Sequence, residues 1–129
     1  MPSLIQGRVI YPKVAIPDPQ GHNPKEGRPF IVMTTNDDIK KGAPIYAVGI
    51  STTFDASNKD IIVVLPYGPT ARSGLKRESA AVCNWIIQIA PDNIDVGPGY
   101  IHPRLVIEIA EKIEKLGAIP QVIGDDCSK

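Results

Sequence analysis

Apolar and polar positions alternate in short runs along most of the chain and settle into a helical rhythm only near its end. Residues 4–14 mix Val, Ile and Tyr with polar neighbours and predict a first strand, with Pro12 suited to a strand end. Residues 29–34, carrying Phe30, Ile31, Val32 and Met33, predict a short buried strand. Thr35-Asn36-Asp37-Asp38 has the form of an N-cap followed by acids, and Gly42 is a natural stop, so one helical turn or a tight loop belongs there. Residues 44–51, 60–65 and 80–89 predict three more strands. Ile94 with Val96, then Tyr100 with Ile101, predict two short closing strands.

His102-Pro103 opens the one long helix, with proline at its first position. Leu105, Ile109, Ile113 and Leu116 recur at helical spacing, and Val106 and Ala110 widen that stripe. Glu108, Glu111, Lys112, Glu114 and Lys115 form the opposite face, and Gly117 ends the helix. A short extended piece is expected at Val122 and Ile123. Two loops stand out: residues 15–27, rich in Pro, Gly, Asp and Asn, and residues 66–79, carrying Arg72, Lys76 and Arg77. Short strands with one terminal helix predict a mainly β domain, a small, partly open antiparallel barrel. Residues 1–117 form that domain, with the helix at 103–117, and 118–129 form a C-terminal tail. The sequence has no internal repeat.

Composition narrows the function. At 129 residues the chain suits one domain with a real core. The formal net charge is zero, which argues against strong non-specific nucleic-acid binding and makes any basic surface local. Two cysteines, Cys83 and Cys127, are too few for a disulfide framework. The first residues show no cationic leader with an apolar core, and no apolar run approaches the roughly 20 residues of a membrane span, so a cytoplasmic protein is expected. No His and Cys spacing resembles a metal-ligand set, and there is no phosphate-binding glycine loop or nucleophile elbow. No cofactor is expected.

What remains is the segment Asp18-Pro19-Gln20-Gly21-His22-Asn23-Pro24-Lys25-Glu26-Gly27-Arg28-Pro29, which sets a histidine six residues before an arginine at the mouth of a buried strand. Metal-free RNA cleavage needs such groups. A base takes the ribose 2′-hydroxyl proton, a cation stabilises charge gathering on phosphorus, and an acid protonates the leaving 5′-oxygen. Histidine titrates in the useful range, and arginine holds phosphate through two parallel hydrogen bonds. Hydroxyls at Ser51, Thr52 and Thr53 are candidates to orient the phosphate. Taken singly, each feature is commonplace: loop histidines are mostly solvated, and Ser-Thr runs mostly serve turns.

The order of the pieces resembles the PemK/MazF family of toxins, including Kid. Gly7-Arg8-Val9 stands where the family opens with Gly, an acid and Val or Ile. Asp18-Pro19 and Gly21-His22 precede Arg28-Pro29-Phe30-Ile31-Val32-Met33-Thr34, as in Kid-like members. Val48-Gly49-Ile50-Ser51-Thr52-Thr53 resembles the strand ending in a Thr-containing turn. Ala81-Val82-Cys83-Asn84-Trp85-Ile86-Ile87-Gln88-Ile89 resembles the later functional strand, and Gly99-Tyr100-Ile101 followed by a helix matches the last element. The match covers most of residues 7–117. Val82 and Asn84 stand where Kid-like members carry Arg and Asp, and asparagine cannot serve as a carboxylate base.

The resemblance implies a Src-homology-3-like barrel of the MazF/Kid/CcdB type. It implies the toxin of a type II toxin–antitoxin pair, a metal-independent, sequence-selective endoribonuclease that cuts single-stranded mRNA and leaves a 2′,3′-cyclic phosphate. Arg28 would stabilise the phosphorane, His22 would be acid or base, and Thr52 or Ser51 would hold the phosphate. Asn84 would be a hydrogen-bonding group, and Lys25, Arg72, Lys76 and Arg77 would steer RNA. The implied partners are RNA, a cognate antitoxin and a second copy in a homodimer, with no membrane. Two alternatives stand beside it: a catalytically inactive barrel acting as a protein- or nucleic-acid-binding module, like the DNA-gyrase-binding toxin CcdB, and a housekeeping interaction barrel.

Overall fold

The computed structural model describes residues 3–17 and 27–123. Seven strands form one sheet: β1 (Arg8–Pro12), β2 (Phe30–Val32), β3 (Ile45–Ser51), β4 (Ile62–Leu65), β5 (Ser79–Ile89), β6 (Ile94–Tyr100) and β7 (Gln121–Ile123). Two helices accompany them, α1 (Asn36–Lys40) and α2 (Pro103–Leu116), with a 3-10 turn at Pro91–Asn93. The sheet order is β4-β5-β3-β2-β1-β6, antiparallel throughout, and β7 adds to β5 in parallel. This is the mostly antiparallel, open β architecture with a C-terminal helix that the sequence predicts. Among the described residues, no helix is long and apolar enough to cross a membrane.

The sheet is buried on both faces, so its central strands are apolar at consecutive positions rather than at alternate ones. Ile31, Val48, Ile50, Ala81 and Cys83 belong to one cluster with Val106 and Ile109 of α2. Phe30, Val32, Ala47, Trp85 and Ile87 belong to the other, which also takes in Ile16 and Ile123. Ile16 belongs to the loop after β1 and is fully buried. Ile123 belongs to β7, so the segment after Gly117 contributes a strand and a core side chain.

Local signals act as expected. The Thr35 side chain caps α1, accepting from the Asp38 amide at 3.3 Å, and Gly42 leaves the turn with φ +81°. In α2, Pro103 takes the first turn, His102 Nδ1 accepts from the Arg104 amide at 3.0 Å, and Gly117 closes the helix left-handed. Two expectations need correction. The pair of short closing strands is one continuous strand, β6, running through Gly97-Pro98-Gly99. It lies at the end of the sheet order, where a proline without an N–H breaks no inner ladder. The buried stripe of α2 is also narrower than its periodicity implies. Val106 and Ile109 are buried and Leu105 and Ile113 half-buried, while Ala110 and Leu116 are exposed.

The loop between β4 and β5 joins the two ends of the sheet order. Ser73 lies against Gly99 so closely that a side chain at 99 would overlap its carbonyl, and the Tyr100 amide donates to Arg72 O at 2.9 Å. Ser73 is buried, its hydroxyl donating to Pro66 O at 2.7 Å. The sheet therefore curls, and this loop spans the gap between its first and last strands.

Candidate functional site

Ladder register decides which candidates meet. Phe30 pairs with Gly49, and the Ile50 amide donates to Pro29 O at 3.1 Å, which brings Arg28 up beside the end of β3 at Ser51. Ser51 in turn pairs with Ala80, next to the Ser79–Leu65 pair. The start of β2, the end of β3 and the start of β5 thus share one end of the sheet, with the exposed Lys76 and Arg77 just before Ser79.

An irregularity in β5 shapes this end. Val48 pairs with Ile86, but the next residue, Gly49, pairs with Val82, so Cys83, Asn84 and Trp85 bulge without partners on β3. Bulges re-aim side chains. Here Cys83 enters the α2-side cluster, Trp85 enters the other, and Asn84 between them is exposed. The Trp85 ring lies on Gly49 and meets Phe30 edge-on, with centroids 4.9 Å apart at 65°. The half-buried Arg28 places its guanidinium carbon 5.7 Å from the Trp85 ring centroid, within cation–π range.

The hydroxyl residues differ in their use. Ser51 Oγ accepts from the Thr53 amide at 3.1 Å and donates to Thr53 O at 2.9 Å, so it holds the turn. Thr52, at the tip of that turn, is exposed. Arg72 is drawn elsewhere: its Nη1 donates to the Tyr100 hydroxyl at 3.2 Å. Tyr100 also lies beneath Arg8, whose Cζ is 6.0 Å from the ring and whose side chain donates to Ser3 O and Pro98 O, both at 3.0 Å. Arg8 pairs with Tyr100, while the Gly7 amide donates to Val32 O, so this cluster adjoins the far end of β2 from Arg28.

Arg28, Ser51, Thr52, Lys76 and Arg77 therefore gather at one sheet end, with Asn84 in the adjoining bulge. His22 and Lys25 lie outside the described residues. Trp85 escaped the sequence reading: it falls in an apolar run, and only strand pairing reveals the bulge that turns it toward Arg28. Among the described residues, no group of three or more His, Cys, Asp or Glu side chains is placed to hold a metal ion.

No family model and no curated protein sequence matches the chain. Solved structures do match. An endoribonuclease in complex with its cognate antitoxin, from mycobacterial species, superposes with a TM-score of 0.63 at 17% identity, over 92% of this chain and 98% of that one. The Mycobacterium tuberculosis toxin MazF-mt6 gives 0.62 at 17% identity, over 84% and 93%. A further endoribonuclease from mycobacterial species gives 0.60 at 15% identity, over 93% and 96%. Across nearly its whole length, then, this chain has the MazF-like fold.

Proposed function

We propose that the chain is the toxin of a type II toxin–antitoxin pair and acts as a metal-independent endoribonuclease on single-stranded RNA in the cytoplasm. One observation supports the reading: in a MazF-like barrel the start of β2, next to Arg28, lies beside the end of β3, which carries Ser51 and leads into the exposed Thr52. A planar cation and an exposed hydroxyl at one sheet end would together grip a phosphate.

In this mechanism the ribose 2′-oxygen attacks phosphorus as its proton leaves to a base. The bond to the 5′-oxygen breaks, and that oxygen takes a proton from an acid, leaving a 2′,3′-cyclic phosphate. Arg28 stabilises the charge on the phosphorane and Thr52 orients the phosphate, with Ser51 holding the turn. His22 serves as acid or base, and Asn84 as a hydrogen-bond donor or acceptor to the substrate. Lys25, Lys76 and Arg77 steer the RNA by charge at that end, while Arg72, bonded to the Tyr100 hydroxyl, contributes only at longer range. Two copies form a symmetric dimer, whose groove an acidic antitoxin segment blocks. The exposed Asn84, in place of a carboxylate, favours a second reading in which the barrel binds a protein such as DNA gyrase without chemistry.

The test is incubation of the purified chain with mixed-sequence RNA in EDTA. Fragments ending in 2′,3′-cyclic phosphate support the endoribonuclease. Intact RNA, with gyrase retained on the immobilised chain, supports the second reading.

A further inference from the structure

We infer that Trp85 is a positioning residue for Arg28: its indole face fixes the guanidinium in the orientation that meets a phosphate. The inference rests on the proposed role of Arg28 and adds a residue to which nothing above gives a part in the reaction.

Three observations converge. First, the Arg28 Cζ stands 5.7 Å from the Trp85 centroid, so the cation lies over a ring whose negative face attracts it. Arginine is flexible, and a guanidinium that must present a planar fork gains from a rigid neighbour. Second, the ring is closely packed: it lies on Gly49, where any side chain would overlap it, and Phe30 closes on it edge-first. Third, packing alone does not account for a tryptophan. The residue is only 4% exposed, and its indole N–H has no hydrogen-bond partner among the described residues. Phenylalanine would fill an apolar site without burying that polar group. A large, electron-rich face under a cation is the property that tryptophan adds.

The β5 bulge makes the arrangement possible. Without it Trp85 would fall on the same side of β5 as Cys83, under α2 and away from Arg28. The irregularity thus carries an aromatic platform to the mouth of β2.

The test uses the full chain and reads Arg28 directly. NMR of the arginine Nε–H groups should show Arg28 shifted by the ring and ordered, in contrast to the exposed Arg77, with no ligand present. In Trp85→Leu that order and shift should be lost, while Trp85→Phe should retain part of both. Steady-state cleavage of a fluorescent mixed-sequence RNA in EDTA should then fall roughly tenfold to a hundredfold in kcat for Trp85→Leu. KM should stay within about twofold, and Trp85→Phe should recover most of the rate. An Arg28 Nε–H as mobile as that of Arg77 in the wild type overturns the inference without any variant. So does a folded Trp85→Leu protein with unchanged Arg28 order or unchanged kcat. Should the wild type leave RNA intact while Arg28 is ordered by Trp85, the positioning stands and the endoribonuclease reading fails.

Discussion

Gly49 and Trp85 occupy complementary surfaces: a β-carbon added to Gly49 would overlap Cδ2, Cε3 and Cζ3 of the indole ring. Replacing a strand glycine by alanine ordinarily stabilises by about 0.4–1 kcal/mol, because the unfolded chain loses freedom. At Gly49 the sign should reverse. Gly49→Ala must displace a buried ring wedged against Phe30, and overpacking of this kind costs about 1–3 kcal/mol. Urea denaturation should show a lower midpoint. A midpoint at or above that of the wild type would mean that the ring can slide.

Arg28→Ala should lower kcat for RNA by about a hundredfold or more, the scale for losing a donor that stabilises transition-state charge. The fold should survive, since a cation–π contact contributes about 0.5–1 kcal/mol at partly exposed sites. Arg28→Lys should recover little, because it keeps the charge and loses the fork. Paired kinetics and thermal melts decide this. Wild-type kcat in folded Arg28→Ala would remove Arg28 from the chemistry.

Neighbouring hydroxyls should separate by role. Ser51 makes both turn hydrogen bonds to Thr53, so Ser51→Ala should cost stability, about 0.5–1.5 kcal/mol. Thr52 is exposed, so Thr52→Ala should leave stability within about 0.5 kcal/mol while reducing cleavage. Equal loss of rate in both variants, with equal melts, would contradict the division.

Cys83 sets an alkaline limit. Burial, the largest effect, pushes its thiol from about 9 up to about 11, against a smaller opposing pull from Lys112. The folded state therefore holds the proton more tightly than the unfolded state. The resulting stability is full below pH 9, falls as pH rises, and is gone above 11, a change of about 2–3 kcal/mol. Cys83→Ser should flatten that decline in urea midpoints measured from pH 8 to 11. In the wild type, a thiol reagent at pH 8 should modify Cys83 only on the unfolding timescale.

Most of the framework was legible because it rests on local chemistry. Thr35 before Asp37 and Asp38, Pro103 and Gly117 around α2, and the apolar run of β5 all declare themselves over a few residues. What stayed hidden depends on pairing. Pro98 between two glycines reads as a break, and only the place of β6 at the end of the sheet order makes it harmless. Ala110 and Leu116 fit the helical period but lie beyond the sheet surface that α2 covers. Arg72 reads as one more loop cation, yet Tyr100 holds it away from Arg28. Trp85 is one apolar residue among many until the register jump between Val48 and Gly49 is known. The candidate site was legible as a set of residue types; its geometry is a property of the ladders.

The parallel pairing of β7 with β5 also sets an order of events in time. Ile87, Gln88 and Ile89 find Gln121, Val122 and Ile123 on that edge only after β6 and α2 have been made and have turned the chain back. β4, which covers the other half of the same edge, is already present when β5 appears. A growing chain thus exposes half of its longest described strand as an unpaired edge until residues 121–123 emerge, and such edges invite pairing with other chains. Strand β7, with Ile123 seated in the core, closes that interval.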